Sequence, residues 1–118
     1  MGNLIEPRIS PEARALHDQC LVMDLHCDTL LNETLLGYDP TKRHRNRLPG
    51  SPWLFHADIP RLKAGGIGAV ALGIVVNPLR SKSALRATRQ GLAQMAAWQD
   101  RAPADVLLVA CAPDIRRA

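Results

Sequence analysis

Three short apolar runs, separated by segments with helical features, constrain the fold of this chain more than any other feature. They lie at residues 20–25, 69–76 and 106–110. Each has the length of a β-strand, and the first lacks the alternation of polar and apolar residues typical of a half-exposed strand. This pattern predicts strands buried on both faces, as in a parallel sheet. Strands that alternate with helices imply right-handed crossovers and an α/β fold.

Helical signals occupy the intervals between the apolar runs. Ser10 precedes a proline and a glutamate, which predicts an N-cap and a short helix through about Asp18. A second short helix is expected over residues 58–64, where a pair of glycines follows and ends it. Apolar residues recur at helical spacing over residues 83–100, which predicts one long amphipathic helix. Residues 113–116 have the composition of the first turn of another helix.

A long loop is predicted over residues 37–56, which are rich in glycine, proline and basic side chains. The basic cluster of this loop consists of Lys42, Arg43, Arg45 and Arg47. A solvated loop is the favoured interpretation of these charges, and anion or nucleic-acid binding is the alternative. Aromatic residues make up only 3% of the chain, so few side chains are available to stack on bases. We therefore expect no nucleic-acid partner.

The cysteines and the distribution of apolar residues bear on the cellular compartment. Cys20, Cys27 and Cys111 are odd in number and form no Cys-x-x-Cys motif, which favours free thiols in a reducing environment. The first residues contain no apolar core typical of a secretory signal. No apolar run approaches the roughly 20 residues that a membrane span requires. These features predict a cytoplasmic protein without a membrane span.

The strongest candidates for chemistry are His26 and Asp28, which follow the first apolar run. Residues two apart project from the same face of an extended chain, so an imidazole and a carboxylate could converge on one cation. Both are zinc ligands, and the carboxyl ends of parallel strands are where barrel enzymes place reactive groups. The spacing alone leaves another interpretation open, in which His26 ends the strand and Asp28 caps the following helix.

Two neighbours of this pair have interpretations of their own. Asp24 lies two residues before His26, on the same face of the predicted strand. It is either an acid that orients the histidine behind the metal or a carboxylate bound to nearby backbone. Cys27 is expected to project from the opposite face, where packing is favoured over zinc binding.

Two segments together resemble a known enzyme family. Residues 22–30 have the sequence VMDLHCDTL, and residues 58–69 have the sequence DIPRLKAGGIGA. In this order and at this separation they resemble the membrane (renal-type) dipeptidases, peptidase family M19, within the amidohydrolase-like hydrolases. The similarity extends more loosely over the second apolar run, the long helix and the third run. It covers most of this chain and about the first third of a family member. Cys27 departs from the family, where asparagine is common at that position.

The resemblance implies a fold of known architecture. The expected fold is α/β, the first βα units of a truncated TIM-type (β/α)₈ barrel, because a complete barrel takes about 250 residues. The 118 residues would then be an N-terminal fragment of one catalytic domain. Residues 1–19 would form a lead-in and a short helix, and residues 20–118 the first three strands with their helices.

The resemblance also implies a zinc-dependent dipeptidase that hydrolyses dipeptides with a free carboxyl terminus. The active site of the family holds two Zn²⁺ ions, and its His-x-Asp ligands fall on His26 and Asp28. A bridging glutamate and further histidines have no match in this chain, so the fragment alone is expected to be inactive. The expected partner is a small peptide substrate, and self-association of the full-length protein stays open. Another metal-dependent hydrolase of the amidohydrolase type is the alternative.

Overall fold

The computed structural model describes residues 9–44, 57–76 and 83–117. Within them the chain has an α/β fold with two strands and five helices. In chain order these are α1 (Pro11–Asp18), β1 (Val22–Cys27), α2 (Thr29–Leu36), α3 (Ile59–Ala64), β2 (Ile67–Leu72), α4 (Ala84–Arg101) and α5 (Ala112–Ile115). The predicted lead-in at residues 1–8 and the loop residues 45–56 lie outside the described residues.

The two strands are parallel, as predicted. Val22 is in register with Ile67, and Cys27 is in register with Leu72. Each strand is displaced from its apolar run by two residues or more. The backbone amide of Cys20 donates to His17, so the start of the first run belongs to the turn that ends α1. Gly66, which has a positive φ, reverses the chain after α3, and β2 begins at the next residue, Ile67.

The helices agree with the sequence signals at their ends. Ser10 Oγ accepts a hydrogen bond from the backbone amide of Ala13 at 3.2 Å, which caps α1 as expected. The turn between α3 and β2 requires glycine at residue 66, where φ is 73°. The long amphipathic helix is confirmed as α4, and α5 forms where a first helical turn was predicted.

The predicted third strand at residues 106–110 is wrong for this structure, in which the segment is neither strand nor helix. Its backbone amides bind groups other than a neighbouring strand. Val106 N donates to the carbonyl of Ala102, and Leu108 N donates to Gln99 Oε1 at 2.7 Å. Ala110 N donates to the Asp114 carboxylate at 3.0 Å. These bonds replace the ladder that would make this segment a strand.

The prediction that the first strand is buried on both faces is also wrong. Met23 and Leu25 project from one face of β1 and are 48% and 75% exposed. Within the described residues β1 has its extensive contacts with β2 and with no helix, so this face stays open to solvent.

The best-packed contact between helices joins α2 to α4. Trp98 is buried, and its indole Nε1 donates to Glu33 Oε2 at 2.5 Å. Arg101 donates to the other oxygen of Glu33 at 2.7 Å, which neutralises the carboxylate. In addition, Gly91 lies against the side chain of Ile74, so that α4 approaches the segment after β2 closely. No helix within the described residues is both long and apolar enough to cross a membrane.

Candidate metal site

The His26 and Asp28 side chains meet at the carboxyl end of β1. His26 is the fifth residue of the strand, and Asp28 is the N-cap residue of α2. The distance from His26 Nε2 to Asp28 Oδ2 is 3.2 Å. The i, i+2 spacing of the extended chain therefore places the two groups on one side, as the sequence pattern predicted.

Asp28 holds the N-cap position of α2 without capping the helix through its side chain. No backbone amide of the helix donates to its carboxylate, and the carboxylate is turned toward His26 instead. This geometry disfavours the alternative in which Asp28 serves only to start the helix.

The spacing of the pair suits two ligands of one metal ion. Two atoms that each lie about 2.0–2.1 Å from a tetrahedral zinc ion are roughly 3.3 Å apart. The observed 3.2 Å is close to that value, although a direct hydrogen bond between the two groups has the same length. Both side chains are open to solvent, His26 at 73% and Asp28 at 48% exposure. An ion and its water ligands could therefore reach them.

Asp24 contacts the backbone of His26. Its Oδ1 accepts a hydrogen bond from the His26 backbone amide at 3.0 Å. This is the second of the two interpretations of Asp24, and it makes the residue a support of the strand end. Cys27, between the two candidate ligands, is partly buried and has a free thiol.

The described residues provide two ligands at this site and no more. None of them forms a group of three or more histidine, cysteine, aspartate or glutamate side chains that could hold a metal ion. Of the other histidines, His17 lies against Gly66, and His44 lies beside Asp58. His56 is outside the described residues. A structural zinc site has four ligands, so this pair would need further ones to bind zinc tightly.

A residue missed by the sequence interpretation, Gly73, borders the pair. Its backbone amide donates to the carbonyl of Cys27 at 3.0 Å, which extends the pairing of β1 with β2 by one bond. A β-carbon at this position would collide with Asp28 Oδ1 and lie 3.2 Å from His26 Cε1. The sequence signal available was only a glycine within an apolar run, which indicates a close approach of another group.

A second cluster, also missed, surrounds Asp58. This carboxylate is fully buried and accepts hydrogen bonds from the backbone amides of His44 and Arg61 at 2.8 and 2.9 Å. Arg61 Nε adds an ion pair at 2.8 Å. The Tyr38 hydroxyl lies 3.4 Å from Asp58 Oδ2 and accepts from Arg61 Nη2 at 3.1 Å. We call Tyr38, His44, Asp58 and Arg61 the Asp58 cluster.

The electrostatics of the Asp58 cluster favour an ionised carboxylate. Burial acts to raise the pKa of Asp58, but the amides of His44 and Arg61 and the Arg61 guanidinium hold it below its usual value. Burial raises the pKa of the Tyr38 phenol. His44 Nδ1 lies 3.7 Å from Asp58 Oδ2 and makes no hydrogen bond within the described residues. The cluster joins the end of α2 to the start of α3.

The basic cluster of the long loop is only partly within the described residues. Lys42 Nζ pairs with Asp39 Oδ2 at 3.0 Å, so this charge is already compensated within the loop. Arg45 and Arg47 lie outside the described residues. This arrangement adds no support for anion or nucleic-acid binding.

Comparison of the chain with protein-family models, with curated proteins and with solved structures finds no match. The resemblance to the dipeptidases therefore depends on the sequence alone, chiefly on the segments at residues 22–30 and 58–69.

Proposed function

We propose that this chain is the N-terminal part of a zinc-dependent dipeptidase barrel and that His26 and Asp28 bind one of its two zinc ions. The observation that carries the proposal is the 3.2 Å approach of His26 Nε2 to Asp28 Oδ2 at a parallel strand end. The segments VMDLHCDTL and DIPRLKAGGIGA add the resemblance to renal-type dipeptidases.

In this proposal the residues of the chain hold and orient the metal. His26 would provide a ring nitrogen and Asp28 a carboxylate oxygen as ligands, and Asp24 accepts a hydrogen bond from the His26 backbone amide. Bound zinc would supply a polarising Lewis acid and lower the pKa of a coordinated water. Two protein ligands rarely hold zinc tightly, so the other ligands belong to parts of the barrel outside the described residues. The 118-residue chain alone is accordingly proposed to be inactive.

The test is the substitution His26→Ala in the full-length protein. We expect it to lower the zinc content by about one ion per chain and to reduce hydrolysis of a simple dipeptide by about 100-fold or more, because removing a ligand should cost more than altering a group that orients one. His17→Ala is the matched control, because it removes a histidine that lies away from the pair, beside Gly66. Zinc content is measured by atomic absorption, and hydrolysis by release of free amino acids. Unchanged zinc content and activity in His26→Ala would remove the basis of the proposal.

A panel of substrates distinguishes the proposed activity from the alternative of another amidohydrolase-like hydrolase. A dipeptidase cleaves Gly-Leu or Ala-Ala and requires the free carboxyl group. Faster hydrolysis of N-acyl amino acids or cyclic amides, with dipeptides untouched, would favour the alternative.

A further inference from the structure

We infer that Gly73 is a positioning residue of the proposed metal site, because its missing side chain leaves the space in which the Asp28 carboxylate stands beside His26. The inference rests on the proposed function and deepens it. Gly73 binds no metal itself and acts through Asp28.

The position of Gly73 follows from the pairing of the two strands. Leu72 is in register with Cys27, and the next amide, that of Gly73, donates to the Cys27 carbonyl at 3.0 Å. The residue after Cys27 is Asp28, so the ladder brings the backbone of residue 73 against the Asp28 side chain. A β-carbon there would lie within collision distance of Asp28 Oδ1 and 3.6 Å from its Cγ.

Residue 73 needs to be glycine because Asp28 occupies the space of a side chain, not because the backbone conformation demands it. Among the described residues the glycines with positive φ are Gly37 and Gly66, so residue 73 has a backbone that alanine also adopts. A larger residue could keep the same backbone conformation, but its side chain would collide with Asp28 and press against His26.

The Asp28 carboxylate is the group that would give way. The Gly73 backbone is held by its bond to Cys27, whereas the Asp28 side chain is half exposed and makes no capping bond. It can rotate toward solvent without exposing a buried group. The expected consequence of a side chain at residue 73 is therefore a small change in folding and a large loss of metal affinity.

The experiment is Gly73→Ala in the full-length protein, with zinc affinity measured by competition against a chromogenic chelator. We expect affinity at one of the two sites to fall about 10- to 100-fold, the range found when groups that orient metal ligands are altered. The thermal midpoint of the zinc-free protein should move by no more than about 2 °C. Gly65→Ala is the matched control, because its β-carbon would meet only ordinary contacts, the nearest at 3.4 Å from the Arg61 carbonyl.

A double substitution tests whether Gly73 acts through Asp28. Where Asp28→Ala has already removed the ligand, adding Gly73→Ala should cause no further loss of zinc affinity. Equal additional losses in both backgrounds would overturn the inference. A low thermal midpoint in Gly73→Ala that persists in the double variant with Asp28→Ala would also overturn it. The glycine would then be required for folding and not for the position of Asp28.

The outcomes separate this inference from the proposed function. If wild type binds zinc and Asp28→Ala weakens that binding, but Gly73→Ala binds as tightly as wild type, only the role of Gly73 is overturned. If neither wild type nor Gly65→Ala binds zinc, the proposed function and the inference are both overturned.

Discussion

Within the described residues, two histidine–aspartate pairs lie in opposite environments. His26 and Asp28 meet at a strand end at 3.2 Å, and both are open to solvent. His44 and Asp58 lie 3.7 Å apart, and the Asp58 side chain is fully buried. Each aspartate also stands at a helix N-cap, where Asp58 caps α3 through its side chain and Asp28 does not cap α2.

The difference shows why the same two residue types suit different roles. Asp58 already accepts hydrogen bonds from two backbone amides and from the Arg61 guanidinium, so it has little capacity for a ligand. A buried carboxylate must be satisfied in this way, since an unpaired charge in the interior is costly. Asp28 is held by one partner and faces water. It can exchange that partner for a metal ion at low cost.

The sharpest test of this comparison is Asp58→Ala, for which we expect the largest loss of stability. The substitution removes the helix cap and leaves Arg61 without its carboxylate partner. The loss should be about 3 kcal/mol, at the low end for a broken buried ion pair, because Arg61 is 26% exposed and can be partly solvated. Urea unfolding followed by circular dichroism measures the difference in free energy of unfolding.

The control for Asp58→Ala is Asp105→Ala. Asp105 pairs with Lys63, but its side chain is 44% exposed, and that of Lys63 is 55% exposed. Removing an exposed pair costs at most about 1 kcal/mol. Equal effects of the two substitutions would contradict the structural role assigned to the Asp58 cluster.

Local signals in the sequence predicted the helices better than the strands. Ser10 and the glycine pair at residues 65 and 66 act on their nearest neighbours, so α1 and the end of α3 follow from them directly. A strand needs a partner for its backbone. Residues 106–110 are as apolar as a strand, but side chains of Gln99 and Asp114 bind their amides. Composition could not reveal this competition.

The candidate site was predictable to the extent that it depends on spacing. The i, i+2 relation brought His26 to Asp28, since extended backbone repeats every two residues. Gly73 could not be found in this way, because its approach depends on the register of two strands that are 45 residues apart in the chain. Asp58 was predicted only as the first residue of the helix over residues 58–64. Its burial depends on Tyr38 and His44, which tertiary structure supplies.

The next effect in size is a pH dependence of stability near the Asp58 cluster. Asp39, which follows Tyr38 in the chain, should contribute about 2 kcal/mol to the free energy of unfolding at neutral pH and lose this contribution in acid. Burial would raise the pKa of Asp39, but hydrogen bonds from Thr41 and Lys42 hold it at about 2. The pKa of Asp58 is also lowered. A carboxyl whose pKa is lower in the folded state stabilises the protein fully above about pH 4 and loses this as pH falls through the folded value.

Measurement of unfolding free energy between pH 7 and pH 2 in wild type and in Asp39→Asn checks this sign. The wild type should lose stability as pH falls from 4 to 2, and the variant should lose about 2 kcal/mol less over the same interval. A parallel decline of the two proteins would show that Asp39 does not contribute in the assigned direction.

The smallest expected effect on stability belongs to the exposed pair. Asp28→Ala should change the free energy of unfolding of the zinc-free protein by about 0.5 kcal/mol or less, because its carboxylate is half exposed and caps no helix. The same substitution should weaken binding of one zinc ion in the proposed site. A loss near 3 kcal/mol would instead make His26 and Asp28 a structural pair like His44 and Asp58. A ligand site and a structural pair are therefore distinguished by comparing two losses on the same substitution, the loss of zinc affinity and the loss of unfolding free energy.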